Sequence, residues 1–369
     1  MVDAVTAGSG ADGASGQTLA AGRGEWYDVV VVGGGAAGLS GAVALARARR
    51  AVLVVDGGQP RNAPAAHVHN YLSRDGAAPS ELLAAGRAEV TGYGGRIISG
   101  RVASAARLDG QDDRGGFQVT LTDGAVVHAR RLLVATGLVD ELPDVPGMAE
   151  RWGRDVLHCP YCHGWEVRDQ ALGILATGPL AAHQAQLFRQ WSADVTLFLH
   201  TQPEPTAEEC EQLAARGITI VRGEVVSLEV TDDHLSGVRL ASGQVVPRQA
   251  IVVGPRVAAR ADVLVSLGIT TTEMRVAGQV IGTYVAADPS GATAVPGVWV
   301  AGNVTDLMAQ VIGAAAAGLM VGAAVNANLI AEDIERAVAA RRNPSPNAAE
   351  PAARDASTQH PALSGAVTL

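Results

Sequence analysis

The residues best placed to do chemistry are His158-Cys159-Pro160-Tyr161-Cys162-His163-Gly164. Two cysteines two residues apart can close a small, readily reduced disulfide, and a proline between them helps hold that geometry. Such motifs commonly raise the thiolate fraction of one cysteine. A zinc site is a competing reading, but it needs a second cysteine or histidine pair at suitable spacing. Cys210 is the only other cysteine and stands alone. Four ligands taken from His158, Cys159, Cys162 and His163 would crowd a tetrahedron. A third reading is two inert thiols. The spacing favours a redox pair, and such a pair needs a route for its electrons.

The elements around the pair suggest that route. Tyr27 to Val32 is a continuous apolar, β-branched run, as a strand buried on both faces should be. It enters Gly33-Gly34-Gly35-Ala36-Ala37-Gly38, then a helical stretch from Leu39 to Arg49 and a second strand, Ala51 to Val55, ending at Asp56. Gly33 permits the tight turn, Gly35 admits a pyrophosphate, and Gly38 lets helix and strand pack closely. The diphosphate would sit at the helix N-terminus, and Asp56, about 20 residues on, can accept from a ribose hydroxyl. Geometry alone does not separate FAD from NAD. The following Gly57-Gly58-Gln59-Pro60-Arg61-Asn62 suits a long cofactor that continues past its diphosphate. His67 and His69 in the same loop read as ordinary solvent or core histidines.

A second strand–helix–strand unit follows the cysteines: a strand over 171–176, a helix over 180–191 and a strand over 194–199. Its turn reads Ala176-Thr177-Gly178-Pro179-Leu180-Ala181 and keeps only the middle glycine and a small last residue. Pro179 removes an N–H where phosphate would be held. Leu199-His200-Thr201 supplies no acid for a ribose 2′-hydroxyl and no arginine pair for a 2′-phosphate. The scaffold of a nicotinamide site is expected there without the site.

Between the units, residues 97–135 read as a β-meander with turn signals at Gly110, Asp112-Asp113 and Asp123-Gly124. Thr206 reads as the N-cap of a helix over 206–215, followed by strands at 218–230, 235–240 and 249–253. Gly297 to Asn303 reads as a strand ending at a polar residue, and a small-residue helix runs from near Gln310 to Arg342. Its apolar part, Val311 to Val325, is shorter than a membrane span. No membrane segment is expected. Residues 1–24 and 343–369 read as disordered tails, without the pattern of a signal peptide. The net charge of −9, with no basic block, argues against a nucleic-acid partner. Three cysteines in 369 residues are no secreted disulfide framework, so a reducing cytoplasm is expected.

The GGGAAG turn, Ala135-Thr136-Gly137, the CxxC inside the second unit and Gly297-Val298-Trp299-Val300-Ala301-Gly302-Asn303 together resemble the low-molecular-weight thioredoxin reductases, over about Asp28 to Ile334. The resemblance implies an α/β chain of two Rossmann-like, three-layer ββα nucleotide-binding domains. The FAD domain would be discontinuous, 25–146 with 256–342, around a central domain at 147–255. It implies FAD held by Gly33, Gly35, Ala36, Ala37, Gly38, Asp56, Gly57, Gln59, Arg61, Asn62, Thr136, Gly137, Gly302, Asn303 and Gln310. It also implies a homodimer, with Cys162 beside the flavin and Cys159 exchanging with substrate.

The departures point elsewhere within that family. His163 replaces an aspartate after the second cysteine, Asn303 replaces the aspartate that contacts FAD, and the NADPH turn is altered. Cys-Pro-Tyr-Cys-His-Gly-Trp looks more like the dithiol oxidases that close disulfides in gliotoxin-, holomycin- and romidepsin-type natural products, with O2 as acceptor. Oxidation of a small-molecule dithiol, with His163 as base and His158 as a weaker candidate, is the first expectation. Reduction of a thioredoxin-like protein by NADPH or another donor is the second. A flavin-holding redox sensor without turnover is the third.

Overall fold

The computed structural model describes residues 24–108 and 115–343. The expectations for 1–23 and 344–369, and the turn signals at Gly110 and Asp112-Asp113, lie outside the described residues.

The chain begins with β1 (Trp26–Val32), α1 (Ala36–Arg47), β2 (Val52–Asp56), α2 (Pro79–Gly92) and β3 (Arg96–Ser99). A meander follows: β4 (Val102–Leu108), β5 (Gly116–Leu121) and β6 (Val126–Val134). Val29, Val30 and Val31 have no exposed surface, which is why β1 carries no polar alternation. It lies between β2 and β6, parallel to both. Helix α1 starts at Ala36, three residues before the expected Leu39, because Gly35 is the extended residue at its N-cap. Helix α2 was not anticipated, although Pro79 in its first turn and Glu81 just after are helix-start signals.

Next come β7 (Leu138–Glu141), β8 (Val156–Leu157), the single turn α3 (Pro160–His163), β9 (Leu172–Leu175), α4 (Ala181–Phe188) and β10 (Val195–Phe198). They lead to α5 (Ala207–Ala215), β11 (Thr219–Val221), β12 (Val225–Thr231), β13 (His234–Leu240), β14 (Val245–Val246) and β15 (Ala250–Val253). Thr206 caps α5 in a reciprocal capping box with Glu209. The single strand expected over 218–230 is two, because Gly223 turns the chain at φ +105° between β11 and β12. The five-stranded sheet runs β11-β10-β9-β15-β8, all parallel.

The chain returns through β16 (Arg256–Ala259), α6 (Asp262–Val265), β17 (Thr272–Val276), β18 (Gln279–Tyr284), β19 (Val298–Val300) and α7 (Val311–Arg342). Strand β16 pairs with β7, and β19 joins the first sheet alongside β6. One buried cluster combines Val30, Leu132 and Val134 with Val285, Val298 and Val300, so the returning segment shares a core with β1 and β6. Helix α7 is long and apolar enough, by length and composition, to cross a membrane, which the shorter expected stretch was not. Its Gly318 packs against the Ala37 carbonyl and its Gly322 against Gly41 of α1, the close backbone contact of a core helix. By contacts one compact unit ends at Ala327, and the remainder of α7 belongs to a second.

Candidate active site

The turn after β1 is built to receive a dinucleotide. Gly33 holds φ +115°, open to glycine, and a Cβ on Gly38 would overlap the Gly33 carbonyl oxygen. Gly35 is different: its φ is an ordinary −80°, and a Cβ there would meet no protein atom within 4 Å. Neither backbone nor packing requires glycine at that position. What a Cβ would fill is the cavity itself, so the cradle fits a group that approaches the main chain closely. No side chain caps α1, so the first N–H groups of Ala36 and Ala37 take no side-chain acceptor at the N-cap and are available to an anion. Asp56 accepts from the Gly58 N–H at 2.8 Å and pairs with Arg87 at 2.8 Å. Arg87 belongs to the unanticipated α2, so only the fold brings it to this acid.

The other expected cofactor residues line the same cavity, apart from Gly38 behind the turn and Gly302. Gln59 receives Arg101 on its side chain and Arg260 on its carbonyl, at 3.2 Å for the latter. Thr136 donates to the Arg260 carbonyl at 2.6 Å, and Gly137 lies at φ +72°. Asn303 sits in a short 3₁₀ turn, Gly302–Val304, beyond the end of the strand expected to reach it. Its amide N–H groups both donate locally, to the carbonyls of Asp306 (3.0 Å) and Ala309 (2.9 Å). The amide oxygen is the group it can still offer. Arg61 pairs with Asp140 through two hydrogen bonds of 2.8 and 2.6 Å.

Cys159 and Cys162 are joined as a disulfide, with Cα atoms 5.2 Å apart. Cys159 is the extended residue capping α3, and its Sγ accepts from the Cys162 N–H at 3.1 Å. Gly164 lets this turn sit on Trp191, whose ring a Cβ would strike. Both half-cystines, His158 and His163 line a cavity of about 1180 Å³ that also reaches Gly33, Gly35 and Asn303. One continuous space joins the glycine turn to the sulfurs.

The two flanking histidines occupy unlike settings. His158 stacks on Trp152, with centroids 5.4 Å apart, and its Nε2 lies 3.5 Å from the Arg61 guanidinium. Burial, reinforced by Arg61, pushes its imidazole down to about 4. His163 ends α3, and burial lowers it as well, while the Glu166 carboxylate works against that shift. His69, read as an ordinary loop histidine, bridges two acids instead, with Asp75 at 3.4 Å and Glu166 at 3.3 Å. Asn70 beside it donates to the Tyr161 carbonyl, so this loop is tied to the redox turn at two points. Neither Asp140, Trp152 nor Glu166 carried a signal in the sequence. Among the described residues no three His, Cys, Asp or Glu side chains converge as a metal site.

At the second turn, the Thr177 hydroxyl donates to the Gly254 carbonyl at 2.6 Å, Pro179 has no N–H, and α4 has no side-chain cap. Helix α4 ends at Phe188, shorter than expected. His200, at the end of the following strand, accepts from the Val225 N–H at 3.0 Å and so holds backbone.

A family model for pyridine nucleotide-disulphide oxidoreductases matches residues 27–318. The chain belongs to that family. The resemblance to thioredoxin reductases is thereby borne out, and the protein is an oxidoreductase of the disulfide class. Thioredoxin reductase sirT of Leptosphaeria maculans is 31% identical over 322 residues, covering 84% of this chain and 96% of that protein. A probable thioredoxin reductase of Arthroderma benhamiae is 40% identical over 158 residues, but the match spans only 38% of that relative's length. The crystal structure of HlmI superposes with a TM-score of 0.78 at 50% identity, over 86% of this oxidoreductase and 97% of that chain.

Proposed function

We propose that this oxidoreductase is an FAD-dependent dithiol oxidase that closes a disulfide in a small molecule and passes the electrons to O2. The observation that carries this reading is the single cavity joining an intact dinucleotide cradle to an oxidised cysteine pair, beside a second turn that keeps one glycine of three and places Pro179 where an N–H would be. The similarity to HlmI and to sirT supports the same direction.

A substrate thiolate attacks Sγ of Cys159, the Cys159–Cys162 bond breaks, and Cys162 leaves as a thiolate. The second substrate thiol then attacks the substrate sulfur of the mixed disulfide and expels Cys159, giving an oxidised substrate and two reduced cysteines. His163 takes the proton from the first attacking thiol, releases it to solvent and then takes that of the second, since burial keeps its imidazole neutral to lower pH than an ordinary histidine. The Cys162 N–H stabilises the Cys159 thiolate released in the second step. FAD, when bound, supplies the acceptor for the two electrons and their path to O2. The Gly33–Gly38 turn would hold its diphosphate, Asp56 its ribose, and Asn303 and Gln310 would lie near its ring system.

We take 25–146 with 256–342 as the FAD domain, 147–255 as the central one, and a cytoplasmic homodimer as the working form. Exposed Ile312, Leu319 and Met320 on α7 would lie at the contact between copies. The deciding experiment is anaerobic spectroscopy of the purified protein. A small dithiol alone should bleach the flavin, with recovery and peroxide on admitting air. Rapid bleaching by NADPH would instead establish thioredoxin-reductase chemistry, and silence towards both would leave a redox sensor.

A further inference from the structure

Three segments far apart in sequence meet beside Cys159: Arg61 from the loop after β2, Asp140 from β7, and His158 from the end of β8. The Asp140 side chain is 7% exposed, and its backbone is held in the ladder opposite Val257. It grips Arg61 through Nε (2.8 Å) and Nη2 (2.6 Å), and the same Nη2 lies 3.5 Å from Nε2 of His158. A guanidinium stays protonated and has only N–H groups to offer. The ring nitrogen facing it therefore presents its lone pair. Trp152 covers the ring by stacking, and Gln184 donates to the His158 carbonyl at 3.3 Å, so the residue is held on three sides.

We infer that Arg61 is a positioning residue for the redox pair: anchored by Asp140, it fixes His158 as a neutral acceptor with its proton on Nδ1, which leaves proton transfer at the cysteines to His163. The charged and titratable groups facing His158 are Arg61, Asp140 and His163. A second positive charge on the ring is opposed by burial first and Arg61 next, with Asp140 working the other way. His163 faces Glu166, which favours its protonation, and His69, which opposes it less, so the two histidines are divided by their neighbours into a fixed group and a working one.

Only the kinetic arm of the test rests on the thiol-oxidase reading. Imidazole ¹⁵N–¹H NMR of the full-length protein, with H158N assigning the signal, reads the tautomer directly. In the unaltered protein His158 should show Nδ1–H and a bare Nε2 from about pH 8 to about pH 5. In R61Q its titration should rise by at least about one pH unit. In R61K, which keeps charge but not the two-pronged grip, both neutral tautomers should appear. Anaerobic flavin bleaching by dithiothreitol in R61Q should then fall about twofold further between neutral pH and pH 5 than without the substitution. An Nε2–H tautomer in the unaltered protein, or an unmoved His158 titration in R61Q, overturns the inference. If the NMR outcome holds while dithiothreitol fails to bleach the unaltered protein, the positioning role stands and the oxidase reading falls.

Discussion

The turn after β1 and the turn after β9 each carry the chain from a buried parallel strand into a helix, and they part where phosphate would lie. At the first, Gly33 and Gly38 are held to glycine by a φ of +115° and by the Gly33 carbonyl oxygen, whereas Ala176 and Ala181 stand at those places in the second. At the second, Thr177 spends its hydroxyl on Gly254, and Pro179 replaces an N–H. The strands beneath are equally well buried, with Ile174 and Leu172 as inaccessible as Val30 and Val31. A fold of this kind is held by its strands and used at its turns. A change of ligand at one turn would therefore cost the sheet nothing.

The most severe break is at the sulfurs. Cys162→Ser should keep the cofactor but lower the rate of flavin reduction by dithiol by about 10³-fold or more. Turnover at the original rate, measured by stopped-flow absorbance, would take the pair out of the mechanism. His163→Gln should cost about 10²-fold in the same assay, the ordinary worth of a general base, with cofactor content unchanged. Equal rates with and without the imidazole would assign the proton elsewhere.

The turns themselves can be set against each other. Gly35→Val should weaken cofactor retention about tenfold or more, read as flavin absorbance per chain after gel filtration. The matching change at the other turn, Gly178→Ala, should alter neither flavin content nor dithiol turnover, since its Cβ would meet only the Gln279 amide oxygen at 3.7 Å. A fall in either quantity would show that the second turn still serves a ligand.

The smallest effect concerns acidity. Burial lowers the His163 pKa, so dithiol turnover should hold as pH falls through the usual histidine value of about 6.5 and decline only below it. Glu166 raises that pKa, so Glu166→Gln should move the acidic limb to still lower pH. A limb that moves upward in the pH–rate profile would contradict the arrangement around His163.

Periodicity and turn chemistry made β1, β2, β9, β10 and the capping of α5 legible, because each depends on residues adjacent in the chain. The two glycine turns could be compared on the same basis. Helix α2 was less legible, its apolar positions being few, and with it went Arg87, the partner of Asp56. Asp140, Trp152 and Glu166 come to the cysteines only through tertiary packing, and no local pattern marks them. The fate of Arg61 and Asn303 was hidden for a related reason. A side chain's type is written in the sequence, but the carboxylate or carbonyl that claims it is not.

Strand β19 completes the first sheet, and Gly318 of α7 seats on the Ala37 carbonyl at the glycine turn. Both arrive roughly 270 residues or more after β1. At about 5 to 20 residues per second, a ribosome delivers them some 14 to 54 seconds later. For that interval the cradle exists without its lid of backbone, while the segment bearing the cysteines is already whole. The nascent protein would thus have its thiols in place before the cradle at the first turn is complete.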